Sequence, residues 1–253
     1  MNTKEKVLRA LEKGKGTYIS GEMLAGECNV SRNAIWKSIA ELKKSGYPIK
    51  SVTNRGYMLE ETSDIISRAG ICMYLDSGSD ADEGGKICSE KVFVYDTLDS
   101  TNNEAKRNLI FSNDSMTHGT VFVARQQTAG RGHSGSSFSS PEGGIYFSVI
   151  LEPEMIRKKD IPVTTFISDT VTDVLERLYQ VKTERRRDSS VYVGSEKVCG
   201  ILTEGISDLE TGEYSNYIAG IGIRAEKLRS IHGLSPQRNR VIAEIIGGLS
   251  LWW

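Results

Sequence analysis

The chain has 253 residues, of which 38% are hydrophobic and 26% are charged, and its formal net charge is −1. This composition is ordinary for a protein with a buried core, and it excludes a mostly disordered chain and a collagen-like one. At roughly 100–200 residues per domain, the length predicts one large domain or two smaller ones. No apolar run approaches the ~20 residues of a membrane-spanning helix, and the N-terminus lacks the apolar stretch of a signal peptide. We therefore expect no membrane association and a cytoplasmic location.

Charge is distributed unevenly along the chain. Residues 1–60 carry 11 Lys and Arg against 6 Asp and Glu, residues 61–99 carry 3 against 9, and the remainder is neutral. The segment 76–85 is small, polar and acidic, as flexible linkers are. The sequence therefore predicts a basic domain over residues 1–62, a linker over 63–90 and a larger domain over 91–253.

The cysteines and histidines are scattered rather than clustered. None of the four cysteines has CxxC spacing, which favours reduced, buried thiols over disulfide bonds. The three histidines are isolated as well, so we predict no metal site in the protein.

The basic domain shows the pattern of a winged helix-turn-helix. Apolar periodicity predicts helices over residues 4–13, 21–27 and 32–45, with Ser20 and Ser31 as the caps of the second and third helices. Two short strands around a turn at residues 53–56 predict a hairpin after the helices. Three helices followed by a hairpin are typical of this DNA-binding fold.

The third helix presents polar residues at its N-terminal end, where a recognition helix reads the major groove. Arginine pairs with guanine, and asparagine with adenine, through two hydrogen bonds each. We therefore predict DNA contacts by Ser31, Arg32 and Asn33, with Lys37 and Arg55 as phosphate contacts. The alternative is a small helical domain that mediates protein contacts and whose charges are only solvated.

The larger domain alternates predicted strands and helices, which predicts an α+β domain with a mixed sheet. Glu104 lies at capping-box distance from Thr101, at the start of the first of these helices. One predicted helix begins at Ser100 or Thr101, and two others cover 161–179 and 237–249. The predicted strands cover 92–95, 120–124, 145–151, 191–193, 198–203 and 214–223.

A long glycine-rich loop, residues 125–143, separates the second and third of these strands. Loops of this length are usually functional or disordered. Glycines let backbone N–H groups approach phosphate or carboxylate oxygens, and Arg131 adds a planar charged group. The spacing matches neither the phosphate-binding loop nor the dinucleotide fingerprint, so a flexible surface loop is the alternative.

Five motifs occur in order along the larger domain. They are DSTN at 99–102, QTAGRG at 127–132, GGIYFS at 143–148, KVCGILTE at 197–204 and GIGI at 220–223. With these motifs the chain resembles the biotin protein ligase family, in the bifunctional form whose N-terminal winged helix acts as the biotin operon repressor. The resemblance implies a catalytic domain similar to class II aminoacyl-tRNA synthetases. A third interpretation is that the chain is a lipoate-handling relative, but such proteins usually lack the winged helix.

The resemblance also implies an activity and its partners. Biotin and ATP, with Mg²⁺, would give biotinyl-5′-AMP and pyrophosphate, and the biotinyl group would pass to a lysine of a biotin carboxyl carrier protein. A homodimer would bind operator DNA. Arg131 and Arg186 are the implied catalytic residues. The implied contacts to biotin or biotinyl-AMP are Ser100, Thr101, Asn102, Gln127, Arg131, Gly132, His133, Arg186 and Gly200.

The sequence departs from the family pattern at several positions. His133 replaces an arginine of the loop, Arg224 stands where the family usually has asparagine, and we expect the C-terminal SH3-like domain of the family to be missing. Arg186 stands where the family has the lysine that neutralises the reacting carboxylate and α-phosphate, unless Lys182 takes that place. Arginine keeps the charge but changes its shape and reach. These departures leave open a second interpretation, a biotin-sensing DNA-binding regulator with a weakened or inactive ligase domain.

Overall fold

The computed structural model describes residues 1–77, 91–111, 118–156, 161–186, 188–208, 210–232 and 237–251. Its helices are α1 (Thr3–Lys13), α2 (Gly21–Cys28), α3 (Arg32–Lys44), α4 (Arg68–Ser77), α5 (Thr101–Phe111), α6 (Val163–Tyr179), α7 (Ala225–His232) and α8 (Arg238–Ser250). Its strands are β1 (Ile49–Val52), β2 (Gly56–Leu59), β3 (Val92–Leu98), β4 (Val121–Gln127), β5 (Ile145–Leu151), β6 (Thr183–Arg185), β7 (Val191–Val193), β8 (Glu196–Ser207) and β9 (Tyr214–Ile223).

The N-terminal domain is a winged helix-turn-helix, as predicted. Ser20 Oγ accepts a hydrogen bond from the N–H of Met23 at 3.1 Å, and Ser31 Oγ accepts one from Ala34 at 3.2 Å, so both predicted helix caps are confirmed. Asn29 adopts a left-handed conformation (φ 53°) that ends α2 and turns the chain into α3. The strands β1 and β2 pair antiparallel and form the wing. The buried core contains Val7, Leu8, Leu11, Leu24, Ile35, Ile39 and Leu42.

The larger domain is built on a seven-stranded mixed sheet, which confirms the predicted α+β class. The strand order is β3-β4-β5-β9-β8-β7-β6, with β3 and β4 parallel and the other neighbours antiparallel. Successive side chains of β4 face opposite sides of this sheet. Val121 and Val123 face the main core, which α6 and α8 help to form, whereas Phe122 packs with Ala105 of α5 on the other side.

The first part of the predicted linker is folded. Residues 68–77 form α4, which packs between α1 and α8. Ala69 joins the winged-helix core, whereas Ile71 and Cys72 join the core of the larger domain. The linker stays a prediction for residues 78–90, which lie outside the described residues.

The segment before α4 is held by residues far away in the sequence. Asp64 accepts hydrogen bonds from the Arg238 backbone N–H at 2.8 Å and from Arg238 Nε at 3.1 Å. Asn239 Oδ1 accepts one from the Ser67 N–H at 2.9 Å. These partners lie more than 170 positions further along the chain, so no local pattern predicts the contact.

Three local features differ from the sequence-based expectation. The structure adds β6 and α7, which periodicity did not predict. Glu104 does not close the expected capping box in the described part of the chain: its carboxylate accepts hydrogen bonds from Arg107 Nε at 3.0 Å and Asn108 Nδ2 at 3.1 Å. A basic neighbour on the same face of α5 therefore competes successfully for this carboxylate.

The remaining composition-based expectations concern thiols and the membrane. Cys28, Cys72 and Cys199 are free and buried, as predicted, and Cys88 lies outside the described residues. Among the helices that the structure describes, none has the length and apolarity needed to cross a membrane.

Candidate functional site

A cavity of about 160 Å³ lies between the start of α5, the glycine-rich loop and the strands β8 and β9. Gly200 and Gly222 are paired across these two strands and form a glycine floor, against which the Phe138 ring packs. Eight of the nine predicted ligand contacts line the cavity, and the ninth, Arg186, does not. The eight are Ser100, Thr101, Asn102, Gln127, Arg131, Gly132, His133 and Gly200.

The N-terminus of α5 is tied to the glycine-rich loop through Gln127, the last residue of β4. Gln127 Oε1 accepts a hydrogen bond from the Thr101 N–H at 2.8 Å, which satisfies one of the free N–H groups at the helix start. Gln127 Nε2 donates to Ser140 Oγ at 2.8 Å. One amide thus links helix, strand and loop at the edge of the cavity.

Asn102, the residue after Thr101 in α5, is held in a fixed orientation. Its Nδ2 donates to Glu204 Oε2 at 2.8 Å, and its Oδ1 accepts from Ser148 Oγ at 2.6 Å. Lys106 Nζ donates to the other oxygen of Glu204 at 2.7 Å. Burial raises the pKa of Glu204, but the hydrogen bonds from Lys106 and Asn102 outweigh this and bring it below its ordinary value. The ionised carboxylate therefore keeps the Asn102 amide oriented.

The glycine-rich loop is attached to the sheet by His133. Its Nε2 lies 2.8 Å from the carbonyl oxygen of Ile201, and since a carbonyl only accepts, His133 Nε2 carries the hydrogen. The ring of Phe138 lies over the glycine floor, where a Cβ at Gly222 would be 2.5 Å from it. The histidine thus fastens the loop to β8, a role that does not depend on the charge of the arginine it replaces.

Arg186 is turned away from the other predicted site residues. Its guanidinium carbon stacks 3.6 Å from the centroid of the Tyr192 ring, a cation–π contact on the edge hairpin of β6 and β7. Arg186 Nε lies 3.9 Å from Glu184 Oε1, and about half of the side chain is exposed. The aromatic ring and the carboxylate account for this orientation.

The cavity contains charged residues that the sequence-based site did not include. Lys197, Arg224 and Asp188 line it. Lys197 Nζ lies 3.8 Å from Asp188 Oδ2, and the Arg224 guanidinium lies 5.6 Å from the centroid of the Phe138 ring. A hydrogen bond from Ser190 is the main reason that the pKa of Asp188 lies below its ordinary value. Lys197 opens one of the five motifs, but its sequence position alone does not show which face of β8 it occupies.

Comparisons with known proteins agree with this arrangement. Residues 94–223, which are more than half of the chain, match the biotin/lipoate A/B protein ligase family. The chain belongs to this family. Residues 3–58 of this family member match a helix-turn-helix domain.

This chain is similar to curated proteins whose names describe both a ligase and a repressor. It is 29% identical over 211 residues to the bifunctional ligase/repressor BirA of Bacillus subtilis (strain 168). This alignment covers 83% of this chain and 61% of the relative. It is 29% identical over 209 residues to the Escherichia coli (strain K12) protein of the same name, with 82% and 60% covered. The chain thus spans about three fifths of the length of these curated relatives.

A solved structure similar to this ligase family member is the biotin protein ligase from Aquifex aeolicus in complex with biotin and ATP. The two are 28% identical, the match covers 63% of this chain and 68% of that chain, and the TM-score is 0.52.

In the winged helix, the face of α3 that is predicted to contact DNA is exposed. Arg32, Asn33 and Lys37 are exposed on α3, next to Trp36, which is 61% exposed. Ser31 Oγ serves as the helix cap. In the wing, the Arg55 guanidinium lies 4.3 Å from the centroid of the Tyr18 ring.

Proposed function

We propose that the chain is a biotin–[biotin carboxyl carrier protein] ligase that also acts as a biotin-responsive transcriptional repressor. The observation that carries this proposal is the cavity, where a fixed polar network adjoins a glycine floor and several cations. Biotin has a ureido head that needs paired donors and acceptors, an apolar valeryl chain and a carboxylate. The cavity offers a group for each of these three parts.

Each part of biotin has a proposed contact. The ureido head would bind at Ser100, Thr101 and Asn102, with Gln127 holding the helix start in place. The valeryl chain would lie along the Phe138 ring, which packs on the glycine floor because no side chain stands there. Arg131, with the backbone N–H groups of the loop at Gly132, would hold the α-phosphate of the adenylate.

The first reaction step would join biotin to AMP. A biotin carboxylate oxygen attacks the α-phosphorus of ATP, the bond to the bridging oxygen breaks, and pyrophosphate leaves. The loop that His133 fastens to β8 would cover the mixed anhydride and exclude water from it. In the second step, the carrier lysine amine attacks the acyl carbon and AMP leaves.

Mg²⁺ belongs to the ATP substrate in this proposal. Among the described residues, no group of three or more His, Cys, Asp or Glu side chains is arranged to hold a metal ion. Of the carboxylates near the cavity, Glu204 is bonded by Lys106 and Asn102, and Asp188 faces Lys197. Phosphate oxygens and water are therefore the proposed ligands of the ion.

The repressor activity is assigned to the winged helix. Two copies of the chain would form a homodimer in the cytoplasm and place two α3 helices on paired half-sites of an operator. Ser31, Arg32 and Asn33 would contact bases, whereas Lys37 and Arg55 would contact phosphates.

A second candidate function is a biotin-sensing regulator that binds biotin without activating it. The orientation of Arg186 favours it, because this arginine stands at the position of the family lysine and points out of the cavity.

One assay separates the two functions. The purified protein is incubated with biotin, ATP, Mg²⁺ and a biotin carboxyl carrier domain, and pyrophosphate release and carrier mass are measured. A ligase releases pyrophosphate and biotinylates the carrier, but not a control carrier whose acceptor lysine is replaced by arginine. Biotin binding without either product would support the regulator, and no biotin binding at all would contradict both functions.

A further inference from the structure

We propose that Lys197 is the catalytic cation that neutralises the biotin carboxylate and the α-phosphate in this protein, in place of the residue at position 186. This inference rests on the proposed ligase function. It concerns a residue that the five motifs contain but whose role the sequence does not reveal.

A β-bulge turns Lys197 toward the cavity. In the pairing of β7 with β8, Val191 lies opposite Cys199 but Tyr192 lies opposite Lys197, so β8 contains one extra residue, Val198. Regular alternation would place Lys197 on the same face as the buried core residue Cys199. With the bulge, both Val198 and Cys199 join the core and Lys197 lines the cavity. Bulges commonly re-aim a side chain next to an active site.

The same strand contacts the polar network and carries Lys197. Asn102 contacts the Leu202 carbonyl and the Glu204 carboxylate, so the polar network lies over this part of β8. Lys197 lies five residues before Leu202, roughly 16 Å along a strand at ~3.3 Å per residue. Its side chain reaches back over the floor, since its Cε lies 3.7 Å from where a Cβ at Gly200 would be. The head-group network and Lys197 thus line the same cavity and start from different positions along β8.

The ammonium group of Lys197 retains hydrogen-bonding capacity for a ligand. Its contact with Asp188 is 3.8 Å long, beyond a normal hydrogen bond, and 32% of the side chain is exposed. Two of the other basic residues nearby have closer partners, whereas Arg131, which also lines the cavity, is assigned above to the α-phosphate. Arg186 stacks on Tyr192, and Lys106 is bound to Glu204 at 2.7 Å.

Lys197 would act as a fixed positive charge and not as a proton donor. As the carboxylate oxygen bonds to the α-phosphorus, negative charge passes to the phosphoryl oxygens and then to the leaving pyrophosphate. An ammonium group held beside these atoms stabilises the transition state electrostatically and positions the carboxylate.

The test compares biotin with biotinol, the alcohol analogue that keeps the head and chain but has no carboxylate. Lys197→Gln should weaken biotin binding roughly 10- to 100-fold in calorimetry while biotinol binding changes less than about threefold. Biotin-dependent ATP–pyrophosphate exchange should fall at least ~100-fold. Lys197→Arg should restore biotin binding in part. The matched control is Lys44→Gln, an exposed lysine at the end of α3 and outside the cavity, which should change none of these values.

Retained biotinol binding shows that the Lys197→Gln variant is folded and that its head-group site is intact. Unchanged biotin affinity and exchange in this variant would overturn the assignment to Lys197, as would a loss of the biotin preference in Arg186→Gln but not in Lys197→Gln. Failure of the wild-type protein to bind either compound would instead contradict the proposed function itself.

Discussion

Asn102 Oδ1 lies so close to Gly220 that a Cβ at position 220 would stand 2.3 Å from it. Real Cβ contacts are essentially never shorter than 3.0 Å, so the side-chain amide occupies space that only glycine leaves free. Gly220 on β9 thereby allows Asn102 to reach Glu204 and Ser148. A residue without a side chain is thus part of the proposed biotin-binding network.

Gly220→Ala should therefore weaken biotin binding. The added methyl group forces Asn102 to move, and such overpacking typically costs about 1–3 kcal/mol, or roughly 5- to 150-fold in affinity. Calorimetric titration with biotin measures the effect. Gly247→Ala is the control, because a Cβ there meets no atom within 4 Å. An unchanged affinity in Gly220→Ala would show that biotin does not bind at this network.

Gln127→Ala and Asn102→Ala test the polar end of the cavity. Loss of one paired buried polar group costs about 1–3 kcal/mol, so we expect roughly 5- to 150-fold weaker biotin binding in each variant. Gln126→Ala is the matched control, since the neighbouring Gln126 bonds Thr97 at 2.7 Å and does not line the cavity. Equal affinity in all three variants would place the biotin site elsewhere.

Two substitutions separate base recognition from phosphate contacts on α3. Arg32→Ala should reduce the preference for operator over random DNA by about 1–3 kcal/mol, because it removes a candidate bidentate contact to guanine. Lys37→Ala should weaken binding to all sequences and reduce the slope of log affinity against log salt concentration by about one. Fluorescence anisotropy at several salt concentrations distinguishes the two effects. If both variants bind operator and random DNA like the wild type, α3 does not read DNA.

Biotin together with ATP should tighten operator binding more than biotin alone. The adenylate would order the loop at Gly130–Gly135, which His133 connects to β8, and an ordered loop would promote pairing of two chains. Gel shifts across a range of protein concentrations, with and without each ligand, measure this coupling. Equal operator affinity under all conditions would leave the winged helix as a constitutive binding module.

Glu12 should make the stability of the fold depend on pH. Its side chain is 1% exposed. Among the described residues its carboxylate oxygens have no hydrogen-bond partner, and Lys15 Nζ lies 3.7 Å from Oε2. Burial is the largest cause of its raised pKa, which the charge of Asp64 raises further and Lys15 lowers. The native state thus favours the neutral carboxyl, and this stabilisation is lost as the pH rises through the raised pKa.

Glu12→Gln should accordingly be more stable than the wild type at pH 8, and this advantage should shrink as the pH falls toward 4. The free energy of urea unfolding, measured at several pH values, tests the expectation. Glu41→Gln, at an exposed position of α3, should show no such trend. A difference between Glu12→Gln and wild type that stays constant over this pH range would contradict the role of ionisation.

Local patterns were sufficient to predict most elements. Caps such as Ser20 and Ser31 act within a few residues, and apolar periodicity follows from the geometry of a single helix or strand. The polar residues of the cavity were instead predicted from the family resemblance of the motifs at 99–102 and 127–132.

The sequence by itself determined the winged helix, the α+β class and eight residues of the cavity, since these depend on short-range geometry and ordered motifs. Only the tertiary structure decided that α4 joins both cores and which cation faces the cavity. The first depends on partners far apart in the chain, since Asp64 meets Arg238. The second depends on a bulge at Val198 that arises only when β7 pairs with β8. A one-residue shift in strand pairing reverses the face of a side chain, which is why Lys197 lines the cavity, whereas Arg186 follows the end of β6 and stacks on Tyr192.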